Sequence, residues 1–184
     1  MSNTSFDYAR MDQEERPFAR RLAQWIDLRW SGPVVDLGAG TGVYVQELRA
    51  RGVPAQGYDV TQPQPCPDLV HTQDLLQVHA PAPVVICLEV AEHIDHSLSA
   101  QVVHSVWQNC EPGGWVVWSA AQPGQGGVGH INCQAPEFWT YHAQQQGFRR
   151  RWDTEADLDT FILAGEHMGW FRNNRQIWQR PITR

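Results

Sequence analysis

"VVDLGAGTGVYVQELRARG", residues 34–52, decides the fold. Val34–Leu37 is a short apolar run broken by Asp36, and it reads as a buried strand. Gly38, Gly40 and Gly42 follow at alternate positions. Val43–Arg51 then carries apolar residues at three and four spacings, the period of a helix, and Gly52 closes it. A strand that passes through three glycines into a helix bares backbone amides at a helix N-terminus, beside whatever occupies the carboxyl edge of a sheet.

Outward from this turn the same alternation continues. Ala55–Tyr58, Val84–Leu88, Trp115–Ala120 and Phe148–Trp152 read as strands, with a last one near Phe171–Arg180. Arg16–Leu28, Ser97–Asn109, Pro136–Gln146 and Glu155–Gly165 read as helices. Strands alternating with helices predict an α/β, Rossmann-like, doubly wound sheet with helices on both faces. Glu111-Pro112-Gly113-Gly114 and Gln146-Gly147 mark borders, and the strongest loop is "QPGQGGVG" at 122–129. The nine tryptophans are dispersed and read mainly as core, partly as pocket lining.

A length of 184 residues suits one domain spanning 1–184. There is no lysine, and the formal charge is −6, so the chain offers no basic field for a nucleic-acid backbone. Stable nucleic-acid binding is therefore not expected, with Arg149, Arg150 and Arg151 as a local exception. Cys66, Cys87, Cys110 and Cys133 are scattered singly, which argues against a zinc site or a disulfide framework and for reduced thiols in the cytoplasm. No run approaches the roughly 18 apolar residues of a membrane span, and the polar opening "MSNTSFDYARMDQEER" does not resemble a secretory leader. A monomer and a homodimer fit equally well.

Three ligands compete for the glycine turn. A P-loop needs a Gly-Lys-Ser/Thr triplet, which a lysine-free chain cannot supply. A dinucleotide fingerprint needs a third glycine where Val43 stands, and that weakens NAD without excluding it. S-adenosylmethionine asks instead for a tight glycine turn beside its amino acid portion and an acid for its ribose. "VPAQGYDV" supplies that acid as Asp59, seventeen positions past Gly42. A carboxylate there can accept from both ribose hydroxyls, and charge assistance strengthens each bond.

With "VVDLGAGTG" at 34–42, "GYDV" at 57–60, "TQDLLQV" at 72–78 and "VVICLEVAEHI" at 84–94, the chain resembles the class I S-adenosylmethionine-dependent methyltransferases. The final "GWFRNNRQIWQR" is similar to the closing strand of many members, which runs antiparallel in an otherwise mostly parallel sheet. The resemblance implies that Asp36, Leu37, Gly38, Ala39, Gly40 and Gly42 line the methionine moiety. Asp59 and Val60 would hold the ribose and flank the adenine. Asp74 and Leu75 would meet the adenine ring, unless Asp74 only caps a helix, and Leu88, Glu89 and Val90 would lie beneath the sulfonium. S-adenosylhomocysteine would be the product. The opening helix resembles a lid, so Tyr8 or Arg10 would cover the cofactor.

In-line methyl transfer needs an aligned acceptor atom and, for some acceptors, a group that removes its proton. Polar residues gather in "EVAEHIDH" and "GHINCQ". The expected roles are His130 as base or acceptor-orienting group, His93 as a second polar contact and Asn132 as an orienting amide. Phe138 or Trp139 would form an apolar wall. "HIDH" sets His93 and His96 one helical turn apart with Glu92 and Asp95 nearby, which raises a metal, but helical periodicity sends those two acids to different faces, and metal-free transfer is expected. The favoured acceptor is an oxygen or nitrogen of a small molecule, a glycan or secondary metabolite. RNA or protein methylation, and a homologue that binds the cofactor without turnover, stay open. A base-methylating enzyme would show Asn-Pro-Pro-Tyr where "LEVAEHI" stands.

Overall fold

A computed structural model describes residues 8–61, 68–162 and 169–182. Helix α1 (Tyr8–Arg29) leads to β1 (Val34–Leu37), α2 (Val43–Arg49), β2 (Ala55–Asp59), β3 (Val70–Thr72) and β4 (Ala82–Leu88). The chain continues through α3 (Ser99–Asn109), β5 (Cys110–Ser119), α4 (Pro136–Gln146), β6 (Arg149–Arg150), α5 (Trp152–Ile162), α6 (Gly169–Asn174) and β7 (Gln176–Gln179).

The strands form one sheet in the order β3-β2-β1-β4-β5-β7-β6. The pairs from β3 to β5 are parallel, whereas β7 runs antiparallel to both β5 and β6. The order reverses between β1 and β4, where Val34 pairs with Val84. At such a switch point the loops leave the carboxyl edge in opposite directions and open a crevice.

Alternation along the strands sends side chains to two cores. Val34, Ile86, Val117 and Ile177 pack with α1, α2 and α5 through Leu22, Leu48 and Leu158. Val35, Leu37, Val85 and Val116 pack with α3 and α4 through Val102, Val106 and Trp139. Both faces are thus covered, as the sequence pattern predicts. The tryptophans follow the same division: Trp118 stacks on Trp178 at 4.7 Å and tilts against Trp139 at 5.2 Å in the second core.

Several expected borders move. The helix expected from Arg16 begins at Tyr8, and the strand expected from Trp115 begins at Cys110, running through the Glu111–Gly114 segment read as a border. The strand expected over Phe148–Trp152 shrinks to Arg149–Arg150, and the helix expected from Glu155 begins at Trp152. The pull comes from Glu155, which is buried, accepts from the Arg150 guanidinium at 2.9 and 3.1 Å, and also receives the Ile177 amide at 3.0 Å. The strand expected from Phe171 begins at Gln176, because Phe171 sits on α6 with its ring 4.6 Å from Phe18. Strand β3 was not expected; its three residues attach to β2 through Gly57, Tyr58 and Asp59. The arginine cluster is largely self-satisfied: Arg150 pairs with Glu155, and Arg151 pairs with Asp153 at 2.8 Å. Cys87, Cys110 and Cys133 are free thiols, while Cys66 lies outside the described residues. No helix among the described residues is long and apolar enough to cross a membrane.

Candidate active site

The crevice at the switch point opens into a cavity of about 510 Å³. It is walled by the loop after β1, the end of β2, the turn at Leu75–Gln77 and the segment after β4. A larger, more open depression of about 630 Å³ lies at the opposite edge, around Pro33, Gly52 and Ala82, and no acid or histidine lines it. Ligands of doubly wound sheets bind at the carboxyl ends of strands, so the smaller cavity is the one with chemistry to offer.

The glycine turn is built by its own backbone. Gly38 and Ala39 donate their amides to Tyr58 O at 2.8 and 3.1 Å, and Gly42 donates to Ala39 O at 2.8 Å. Gly38 has φ +83°, and a Cβ there would fall 2.3 Å from Val90 Cγ2. The position therefore excludes a side chain on both conformational and steric grounds. Gly57 in β2 serves the same turn, since a Cβ on it would fall 2.5 Å from Ala39 Cβ.

Asp59 closes the turn from the other side. Its Oδ2 accepts the Gly40 amide at 2.9 Å, and its Oδ1 accepts the Thr61 amide at 2.8 Å. Two carboxylate oxygens offer about four lone-pair sites, so ribose hydroxyls still find acceptors there. Asp36 lies beneath, 2% exposed, and its Oδ2 has no hydrogen-bond partner. Burial, then the charges of Asp59 and Glu15, push its carboxyl up to about 8. An orphaned buried carboxyl of this kind suits a ligand that brings positive charge.

Gly38, Ala39, Gly40, Asp59, Val60, Asp74, Leu75, Leu88, Glu89, Val90 and His93 all line the cavity. Asp36, Leu37, Gly42, His130 and Asn132 do not. Leu37 is core, and Gly42 is the left-handed N-cap of α2, packed on Val70. Asp74 does cap a turn, accepting the Leu76 amide at 2.9 Å, while it also faces the cavity. Cavity residues outside the sequence expectations include Glu15, Tyr58, Thr61, Leu76, Ile94 and Leu98. Tyr58, Leu76 and Ile94 fall inside the quoted motif blocks but read there as packing residues, whereas Glu15, Thr61 and Leu98 lie outside them.

After β4 the backbone is strained at Glu89, with φ +53°. Such a conformation costs on the order of 1–3 kcal/mol in a residue with a side chain. The Glu89 carboxyl is held by Asn174 Nδ2 at 3.1 and 3.3 Å, and burial raises its pKa. Glu92 sits on the next turn (Ala91–His93) with no exposure at all. No hydrogen bond of ordinary geometry reaches either of its carboxylate oxygens, and burial followed by the nearby Glu89 charge pushes it up to about 8.

The loop after β5 folds onto this turn. His93 Nδ1 meets Gly129 O at 3.2 Å, and the His93 and His130 rings meet edge to face at 4.8 Å. Burial lowers the pKa of His93. His130 Nδ1 faces Gln125 O at 3.4 Å. Asn132 is buried and fully engaged: Nδ2 donates to Ala91 O and Ser99 Oγ, and Oδ1 accepts from Gln134 and His96. Its place is that of a clamp between the loop and the turn after β4. Trp139 is 1% exposed core, and Phe138 packs beside His96 and His142, so neither walls the cavity. The side chains of Tyr8 and Arg10 lie outside the described residues.

Fold and site define an α/β protein with a ligand crevice at the carboxyl edge of its sheet, acidic where a nucleoside and a cation would rest. A family model described as a methyltransferase domain matches residues 9–171, and the chain belongs to that family. Its fold is that of the S-adenosylmethionine-dependent methyltransferases. A SAM-dependent methyltransferase from Archaeoglobus fulgidus superposes with a TM-score of 0.68 at 14% identity, covering 94% of this chain and 100% of its own. Magnesium protoporphyrin IX methyltransferase from Synechocystis PCC 6803 with bound SAH gives 0.64 at 16%, covering 97% and 90%. The sugar N-methyltransferase KedS8 from Streptoalloteichus sp. gives 0.64 at 15%, covering 92% and 88%. No sequence among the curated proteins matches.

Proposed function

We propose that this domain transfers a methyl group from S-adenosylmethionine to an oxygen or nitrogen of a small molecule, a glycan or secondary metabolite, and releases S-adenosylhomocysteine. The observation that carries the reading is the acidic crevice itself. Asp59 is locked between the Gly40 and Thr61 amides in its wall, and Asp36 lies buried beneath the turn with its Oδ2 unpartnered.

When bound, S-adenosylmethionine supplies an electrophilic methyl carbon: the acceptor lone pair forms the new bond while the S–CH₃ electrons leave with sulfur. The chain's own residues align and enclose. Asp59 accepts the ribose hydroxyls, and the Gly38–Gly40 backbone leaves room for the amino acid portion without a side chain in the way. Asp36 answers positive charge from below, and Leu75 and Val60 flank the base. Val90 and Leu88 exclude water beneath the methyl, which keeps the path to the acceptor dry. His93 faces the cavity from the acceptor side, and burial keeps its imidazole neutral, able to accept a proton. His130 supports it by ring contact, and Asn132 holds the loop that carries His130.

The likeness to a sugar N-methyltransferase supports an acceptor of that size, and the net charge of −6 speaks against a polyanion. The free thiols suit a reducing cytoplasm. A thermal-shift titration with S-adenosylmethionine, S-adenosylhomocysteine and NAD tests the proposal, because a ligand that binds only the folded state raises its apparent stability. Stabilisation by the first two is expected. Stabilisation by NAD alone, or by none of the three, would overturn it.

A further inference from the structure

Glu92, His93 and His130 each offer a ligand atom, and these atoms lie within 4.8 Å of one another. We propose that they form a site for one divalent transition-metal ion of the zinc or manganese kind, set in the wall of the cavity on the acceptor side. The inference rests on the proposed methyl transfer for its role, and it replaces the metal-free chemistry expected from the sequence.

The carboxylate is the first argument. Glu92 is wholly buried, and neither of its oxygens has a hydrogen bond of ordinary geometry. The Glu89 carboxyl is its neighbour, held from the other side by Asn174. A buried carboxylate without a donor is costly, and a second one beside it makes matters worse. A cation beside the imidazoles would give the Glu92 oxygens the partner they lack and let the group ionise in place.

The imidazoles are set up as ligands. A carbonyl can only accept, so the contacts to Gly129 O and Gln125 O at 3.2 and 3.4 Å put the proton of each ring on Nδ1. The lone pair of each ring is then on Nε2. Metal-binding histidines are oriented in this way, with the second ring nitrogen donating to a carbonyl or carboxylate. The loop is shaped around His130, for a Cβ on Gly127 would fall 2.2 Å from its ring. The two segments are also tied together, since the Ile131 and Asn132 amides both donate to Glu92 O at 2.9 Å. Donor atoms around an ion at about 2.1 Å lie about 3–3.5 Å apart, so the three groups would draw closer on binding.

Three protein ligands leave coordination positions open, as in catalytic rather than structural sites. His93 and Glu89 also line the cavity, so an open position beside His93 would face into it. An acceptor hydroxyl placed there binds through oxygen, which lowers its pKa. Its O–H proton passes to solvent, and the metal-bound oxygen's lone pair makes the C–O bond as the S–CH₃ bond breaks toward sulfur. This assigns the acceptor as a hydroxyl compound rather than an amine.

The test is a titration of the chelator-treated wild-type chain with Co²⁺, read by visible absorption, then displacement by Zn²⁺ read by calorimetry. One Co²⁺ per chain with a d–d spectrum is expected. Glu92→Gln and His130→Ala should each weaken binding by about tenfold or more. No stoichiometric Co²⁺ uptake by the wild type, or variants that keep the affinity and spectrum, would overturn the site. The wild-type measurement decides even if a variant fails to fold. Calorimetry with S-adenosylmethionine in the absence of metal reads the cofactor separately: cofactor binding without metal binding sinks only the metal site, whereas no cofactor binding sinks the underlying function.

Discussion

The Gly40 amide donates to Asp59 Oδ2 at 2.9 Å, so the turn after β1 and the acid after β2 are one mechanical unit. With the ribose proposed to rest on the same carboxylate, loop shape and affinity would be linked.

Asp59→Ala removes a charge-assisted acceptor for ribose and the anchor of Gly40 together. At about 1.5–3 kcal/mol for a hydrogen bond to a charged group, S-adenosylmethionine affinity should fall about 10- to 100-fold or more. Asp59→Asn keeps one acceptor oxygen and should lie between. Isothermal titration of both variants checks this, and equal affinities across the series would remove Asp59 from the site.

Gly38→Ala brings a Cβ to 2.3 Å from Val90 Cγ2 at a φ of +83°. Destabilisation of about 1–3 kcal/mol is expected from overpacking plus backbone strain. Adding Val90→Ala should relieve the clash and leave the strain, so the double variant recovers only in part. Denaturant melts of the four proteins in the cycle measure the coupling.

Asp36 is raised from 3.8 to about 8 by burial and by the Asp59 and Glu15 charges. Its proton is held more tightly in the folded chain, so this contribution to stability is present below the unfolded value and is lost as pH rises toward the folded one. Melting temperature without ligand should therefore fall as pH rises from about 4 to about 8 and level off above that, and Asp36→Asn should flatten the slope. S-adenosylmethionine binding near neutral pH should release protons, seen as a buffer-dependent heat. A binding heat independent of buffer ionisation would count against the contact.

The Arg150–Glu155 pair is nearly buried and bidentate, and Glu155 also receives the Ile177 amide. Glu155→Ala strands a guanidinium and a backbone donor, and should cost about 3–5 kcal/mol. Exchanging Arg151 for alanine, a residue whose partner Asp153 is exposed, should cost at most about 1 kcal/mol. Similar losses in both would mean that burial does not separate the two pairs.

The glycine-turn side of the crevice was legible because its chemistry is local. Gly38, Gly40 and Asp59 announce themselves within single turns, and an alternating sheet pattern puts those turns on one edge. The acceptor side was not, because its geometry is tertiary. Glu92 follows a short 3₁₀ turn in place of the α-helical period expected there, so it swings inward to meet His93 and a histidine from the next loop. Asn132 looked like an orienting amide because sequence shows its polarity and not its four partners. The closing segment misled for a related reason: Phe171 suits a strand or a helix equally, and only its contact with Phe18 on α1 makes it helical.

Strand β6 touches the sheet only through β7, which lies between it and β5. Residues 149–150 thus have no ladder to join until residues 176–179 have been made and inserted. Asn174, which steadies Glu89 from across 85 positions, arrives on the ribosome at nearly the same moment. A nascent chain displaying β1 to β5 already owns the glycine turn and Asp59, yet its strained Glu89 is unsupported. The glycine turn and Asp59 thus depend only on the first strands, whereas the support of Glu89 waits for the last segment of the chain.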